Sequence, residues 1–221
     1  MGPDDFYSMF EIQGRRTGAA YTMRADERAQ GIPPHWTLYV AVESADKTAA
    51  QVEPLGGKLL AAPFDVFDAG RMAVIQDPTG AVFCIWEPKR HTGLGISGPN
   101  TFCWADLSTP DREKAKPFYE GLFGWTFDPG EGKDPGGYWH IMSGSRAIGG
   151  IPPAGQVDPK IPPHWLIYFY VDDVDASAAK AKAGGATFYM PPMTVEGVGR
   201  MAVLADAQGA VSALFTSHRK Q

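Results

Sequence analysis

Cysteine is scarce: Cys84 and Cys103 are the only two in 221 residues, which leaves no material for a disulfide framework and no ligand spacing for a structural zinc site. Positive charge is also short. Twenty Lys and Arg against twenty-five Asp and Glu give a net charge of −5, and the longest basic block is His218-Arg219-Lys220. The counterion release that drives nucleic-acid binding therefore has no source. The longest apolar run, Trp165 to Val171, falls far below the roughly 20 residues that cross a bilayer. The start, Met1-Gly2-Pro3-Asp4-Asp5, has neither the charged and apolar regions of a signal peptide nor a myristoylation pattern, since position 6 is Phe. The expectation is a cytoplasmic protein with neither nucleic acid nor membrane as partner.

Glycine and proline, by contrast, are abundant, at 26 and 19 residues. No Gly-X-Y period and no heptad accompanies them, so collagen and coiled coil are excluded. With 44% hydrophobic and 12% aromatic residues, the chain reads as short apolar elements joined by many turns. Its length is awkward, too long for one small module and short for two, against roughly 100–200 residues per domain.

The chain repeats itself. Ile32-Pro33-Pro34-His35-Trp36 returns 129 residues later as Ile161-Pro162-Pro163-His164-Trp165. Gly70-Arg71-Met72-Ala73-Val74 returns at the same offset as Gly199 to Val203, and Asp77-Pro78-Thr79-Gly80-Ala81 as Asp206-Ala207-Gln208-Gly209-Ala210. Within each copy, Thr37 to Glu43 and Leu166 to Asp172 read as strands. The Ala-rich segments Ser44 to Val52 and Asp173 to Ala183 read as helices, with Asp or Ser to cap the start and Gly56-Gly57 or Gly184-Gly185 after the end. Lys58 to Pro63, Met72 to Gln76 and Val82 to Trp86 then read as strands, as do Thr187 to Pro191, Met201 to Ala205 and Val211 to Thr216. The unit is β-α-β-β-β.

A third unit shares this order. Thr101 to Leu107 is its first strand. Its helix, Pro110 to Phe123, is expected to start from Thr109 as N-cap and to stop at Gly124. Ala115, Phe118, Tyr119, Leu122 and Phe123 make one apolar face of that helix, and Pro117 inside it removes a backbone donor. Trp125 to Phe127, Tyr138 to Met142 and Arg146 to Ile151 complete the unit. At the N-terminus, Phe6 to Ile12 and Arg16 to Thr22 match only the last two strands of a unit.

This order, with Phe118-Tyr119-x-x-Leu122-Phe123-Gly124-Trp125 in the helix and an Asp-x-x-Gly turn before the last strand of the second and fourth units, resembles the vicinal oxygen chelate superfamily of glyoxalase I, extradiol dioxygenases and bleomycin resistance proteins. It is similar in particular to tandem bacterial proteins of four units, some from polyketide and anthracycline pathways. The resemblance implies an α+β fold of two half-open barrels, spanning residues 1–91 and 100–217 with a linker at 92–99, the first barrel lacking its opening β-α-β. A missing wall of that kind leaves a sheet edge uncovered. Either chain beyond this start or a homodimer is expected to supply it.

Metal-dependent members of the superfamily hold a divalent ion with three or four His, Glu or Gln side chains. The resemblance places Trp104, Gly149, Leu166 and Ala213 at those positions in the C-terminal half, and Thr37 and Cys84 at two of them in the N-terminal half. None of the first four offers a ligand atom, and no Glu lies between Ala207 and Phe215. No metal and no other cofactor is expected.

Strand alternation instead puts Phe102, Trp104, Tyr168, Tyr170, Ala213 and Phe215 on the inner face, with room expected at Gly149, Gly150 and Ala213. Such walls suit a flat, aromatic organic small molecule. Asp106 and His140 are the weak catalytic candidates. His35 and His164 read as turn-fixing residues, and Arg71 and Arg200 as partners of nearby acids. The expected function is a binding or resistance protein, or a metal-independent enzyme of secondary metabolism; the alternative is a metal-dependent lyase or extradiol dioxygenase.

Overall fold

The computed structural model describes every residue except 1–6, 95–97, 131–136, 154, 156–157, 159 and 218–221. Phe6 of the first expected strand and the basic tripeptide at 218–220 thus lie outside the described residues, as does part of the linker at 92–99. The fold is mixed α+β. An N-terminal hairpin of β1 (Tyr7–Ile12) and β2 (Arg15–Tyr21) is followed by a five-residue helix, α1 (Ala25–Ala29). That helix escaped the sequence pattern because it buries no residue; the Glu27 carboxylate reaching back to the Arg24 N–H at 2.7 Å supports its start.

Three β-α-β-β-β units follow. The first is β3 (Tyr39–Ala41), α2 (Ala45–Val52), β4 (Lys58–Val66), β5 (Gly70–Gln76) and β6 (Val82–Pro88). The second is β7 (Thr101–Ser108), α3 (Arg112–Phe123), β8 (Thr126–Asp128), β9 (Trp139–Ser143) and β10 (Arg146–Ile151). The third is β11 (His164–Tyr170), α4 (Val174–Ala183), β12 (Thr187–Val195), β13 (Gly199–Ala205) and β14 (Val211–Ser217). In every unit the first strand pairs in parallel with the last, and the other neighbours pair antiparallel. The orders are β3-β6-β5-β4, β7-β10-β9-β8 and β12-β13-β14-β11.

Two compact units emerge from the contacts: Met1–Trp36 with Gly93–Cys103 and Ile167–Gln221, and Thr37–Thr92 with Trp104–Leu166. The division passes through β7 and β11. In the second of these units, α3 lays an aromatic face on β6. Phe83 sits 5.7 Å from Tyr119, 5.9 Å from Phe123 and 6.3 Å from Phe118, and Trp125 stacks on Tyr119 at 5.6 Å. In the first, Val171, Val174 and Ala202 form a smaller core, with Phe188 and Leu214 packed against it.

Two local expectations are corrected. The N-cap of α3 is Asp111, whose side chain accepts the Lys114 N–H at 3.0 Å; Thr109 is buried two residues earlier, where its hydroxyl accepts the Asp111 N–H at 3.2 Å. A carboxylate is the better acceptor near a helix start, so the helix begins later than Pro110. It ends as expected, with Gly124 in the left-handed region at φ 67°. The strand expected over 37–43 is ladder-paired only at Tyr39–Ala41.

Candidate functional site

In the unit that contains Trp104–Leu166, the face of the β7-β10-β9-β8 sheet opposite α3 carries a polar cluster among aromatic rings. Register builds it: Gly150 of β10 lies opposite Asp106 of β7 on one side and His140 of β9 on the other. Alternation then puts Trp104 beside Asp106, and Tyr138 beside His140, on the same face. The Trp104 indole N–H donates to Asp106 Oδ1 at 3.0 Å and lies 2.8 Å from the Tyr138 hydroxyl oxygen; that hydroxyl donates to the same Asp106 oxygen at 2.5 Å. Asp106 is buried, while Trp104 and Tyr138 are half-buried. Burial pushes the Tyr138 phenol well above its usual range, and the Asp106 charge pushes it further. The His140 ring, on an exposed residue, stands edge-on to Tyr138 at 5.2 Å and to Trp104 at 6.1 Å.

Gly149 and Gly150 do not open a throat, as the sequence suggested. A Cβ at Gly149 would lie 2.4 Å from the Ala105 carbonyl oxygen, and one at Gly150 would lie 1.9 Å from the Tyr138 hydroxyl. The space the missing side chains leave is therefore filled, by a neighbouring strand and by the Tyr138 ring. Tyr138 was the residue that sequence reading passed over. Its signal was present, two positions before His140 in a strand, but its partner across the sheet was invisible.

The remaining candidates lie in the other compact unit. There Tyr168 pairs with Ala213 and Tyr170 with Phe215, across β11 and β14. Tyr168 and Ala213 are buried, and Phe102, Tyr170 and Phe215 are half-buried. The Cys103 thiol donates to the Tyr168 carbonyl at 3.5 Å, and burial pushes its pKa up to about 12. Cys84, opposite Tyr39 in the β3–β6 ladder, is likewise pushed by burial to about 12, so neither is a ready thiolate. The expected turn and ion-pair roles appear as read: His35 Nδ1 meets the Pro33 carbonyl and His164 Nδ1 the Pro162 carbonyl, each at 2.9 Å. Arg71 is held by Asp46 and Arg200 by Asp175.

The sequence profile of the Glyoxalase/Bleomycin resistance protein/Dioxygenase superfamily matches residues 101–212. The chain belongs to this superfamily. A mycobacterial relative from Mycobacterium tuberculosis, named "Putative glyoxylase CFP32", is 38% identical over 95% of this chain and 80% of its own. The anthracycline biosynthesis protein DnrV of Streptomyces peucetius is 36% identical over 81% of this chain, which spans 65% of that relative's length. Among solved structures, the Mn(II)-bound glyoxalase from Novosphingobium aromaticivorans aligns with a TM-score of 0.58 at 16% identity, covering 80% of this chain and 61% of its own. The 2,3-dioxygenase LapB from Pseudomonas sp. KL28 aligns with 0.57 at 12%, covering 82% and 70%. At those identities the likeness is one of fold.

At the four positions where the superfamily resemblance places ligands in the C-terminal half, the side chains present do not fit a divalent ion. Such an ion takes several N or O ligands, whereas the Trp104 indole is a donor only and its N–H is already engaged by Asp106. Gly149, Leu166 and Ala213 have no ligand atom in their side chains. Among the described residues no three His, Cys, Asp or Glu side chains come together as a metal-binding group. No helix among the described residues is long and apolar enough to cross a membrane.

Proposed function

We propose that this superfamily member binds a flat, partly apolar organic molecule in a metal-free aromatic cavity, as a binding or resistance protein or as a metal-independent enzyme of secondary metabolism. One observation carries the reading: where the superfamily resemblance puts a first metal ligand, this chain has Trp104, with its indole N–H committed to Asp106 beside the Tyr138 hydroxyl. Aromatic walls with a few fixed polar groups suit a ring system that needs orientation more than charge neutralisation. The likeness to DnrV supports a place in secondary metabolism.

Trp104 is the ligand-contacting residue of this reading in the unit that carries Asp106, and Phe102, Tyr168, Tyr170, Ala213 and Phe215 are its candidates in the other unit, each unit taken by itself. In the enzymatic version Asp106 is the general acid or base, and His140 is the second candidate for that role. The protein works in the cytoplasm.

Elemental analysis of protein purified without added metal tests the reading: the expected result is substoichiometric nickel, zinc, iron and manganese. A stoichiometric metal removed together with activity by a chelator overturns it in favour of a metal-dependent lyase or dioxygenase. Incubation with aromatic polyketides, followed by chromatography and mass spectrometry, separates enzyme from binder, since only an enzyme converts the ligand into a species of different mass or retention.

A further inference from the structure

Tyr138 is held in the way a bound ligand is held. Its hydroxyl lies 2.8 Å from the Trp104 indole N–H and donates one bond to Asp106, at 2.5 Å. Its ring lies where Gly150 has no side chain, in a space that any Cβ would enter at 2.1–2.4 Å from the ring carbons. The groups around it are fixed by the sheet: Trp104 and Asp106 by β7, Gly150 by its pairing with Asp106. Tyr138 itself precedes β9 and is only half-buried.

We propose that Trp104, Asp106 and Gly150 form a subsite for a hydroxyl group carried on a flat ring, and that Tyr138 is its resident occupant, which such a ligand displaces. The proposal rests on the reading of the chain as a binder of flat organic molecules and adds the group it selects. A ring hydroxyl reproduces both of Tyr138's polar contacts, so exchange of one for the other leaves no buried polar atom without a partner. A methyl ether offers Asp106 no proton and leaves the buried carboxylate without that donor. A ligand carboxylate meets like charge. Sites built around a hydroxyl discriminate strongly against analogues that lack it, and the Gly150 floor restricts the occupant to something as thin as the Tyr138 ring. His140, edge-on to that ring, borders the same subsite.

The test is calorimetric titration of the full chain with beta-naphthol and with its methyl ether. The expected result is that beta-naphthol binds about tenfold or more tightly than the ether. Tyr138→Phe, which gives up the bond to Asp106, yields its place more readily and raises beta-naphthol affinity about tenfold while keeping the preference. The Trp104 indole N–H proton resonance, assigned with Trp104→Phe, moves with beta-naphthol and not with the ether. Equal binding of the two compounds, or a Tyr138→Phe affinity no higher than that of the unaltered chain, overturns the subsite while leaving the aromatic cavity standing. Failure of both compounds to bind overturns the cavity reading and the subsite with it.

Discussion

Residues 37–88 and 166–217 carry one sequence pattern twice, and the two copies differ in what surrounds them. Both have an Arg at the start of the fourth element bound to an Asp in the first turn of the helix: Arg71 to Asp46 at 2.8 and 2.9 Å, Arg200 to Asp175 at 2.5 and 2.6 Å. Both have an Asp whose side chain caps the turn before the last strand. In the first copy, Asp77 Oδ1 accepts from Thr79, Gly80 and Ala81, while Oδ2 accepts the Tyr119 hydroxyl of α3 at 2.9 Å, and that hydroxyl in turn accepts the Trp165 indole N–H at 3.1 Å. In the second copy, Asp206 caps the turn through Gln208 and Ala210 and stays exposed. The same backbone turn is thus a buried polar anchor in one place and a surface turn in the other. The position that holds Phe83 against three rings of α3 holds Ser212 in the second copy. Local pattern makes the turn, and the neighbouring helix decides its weight.

The largest expected effect of breaking that contrast is at the aromatic contact. Phe83→Ala should cost about 3–5 kcal/mol in urea unfolding, as large-to-small changes at fully buried aromatics do, whereas Ser212→Ala should cost about 1 kcal/mol or less. Comparable losses at the two positions would show that the helix face is not what separates the copies. Next, Asp77→Ala should cost about 2–3 kcal/mol, because it strips several N–H groups and the buried Tyr119 hydroxyl of their acceptor, against under about 1 kcal/mol for Asp206→Ala. Adding Tyr119→Phe to Asp77→Ala should cost less than Tyr119→Phe alone, and a cycle without such coupling would contradict the Asp77–Tyr119 bond.

The smallest effect concerns the exposed ion pairs. Asp65, which also binds Arg71 and Lys89, stands where the second copy has Thr194. The side-chain bonds to Arg71 and Arg200 hold the Asp46 and Asp175 carboxyls below the usual range, and Lys89 with Arg71 does the same for Asp65. A carboxyl whose pKa is lowered on folding contributes stability above its unfolded pKa and loses it as pH falls through the folded one. Asp65→Thr should therefore lower Tm slightly at neutral pH. The difference from the parent should vanish in acid and shrink with salt.

Much of the fold was legible because its signals are local. The offset of 129 residues, the Ala-rich helices closed by glycines and the Asp-x-x-Gly turns each depend on a few adjacent residues, and they gave three complete units with edges within a few positions. The misplaced start of α3 came from two competing acceptors, Thr109 and Asp111, between which spacing alone could not choose. The cluster at Trp104 was half legible. Trp104, Asp106 and His140 were each named from their own strands, but the hydroxyl that joins the first two comes from Tyr138, thirty-two residues along the chain from Asp106. The sequence likewise read Gly150 as empty space, because a missing side chain does not say whose ring fills the gap.

By itself, the sequence determined most of the strands and helices, and that they recur as one β-α-β-β-β unit. Periodicity, capping and side-chain chemistry are properties of short stretches, and they survive without knowledge of the rest of the chain. Only the tertiary structure decided that Asp77 is an anchor and Asp206 is not, and that Tyr138 occupies the space above Gly150. Burial and hydrogen-bond partnership are set by what packs across from a residue, and strand pairing brings those partners from tens of residues away.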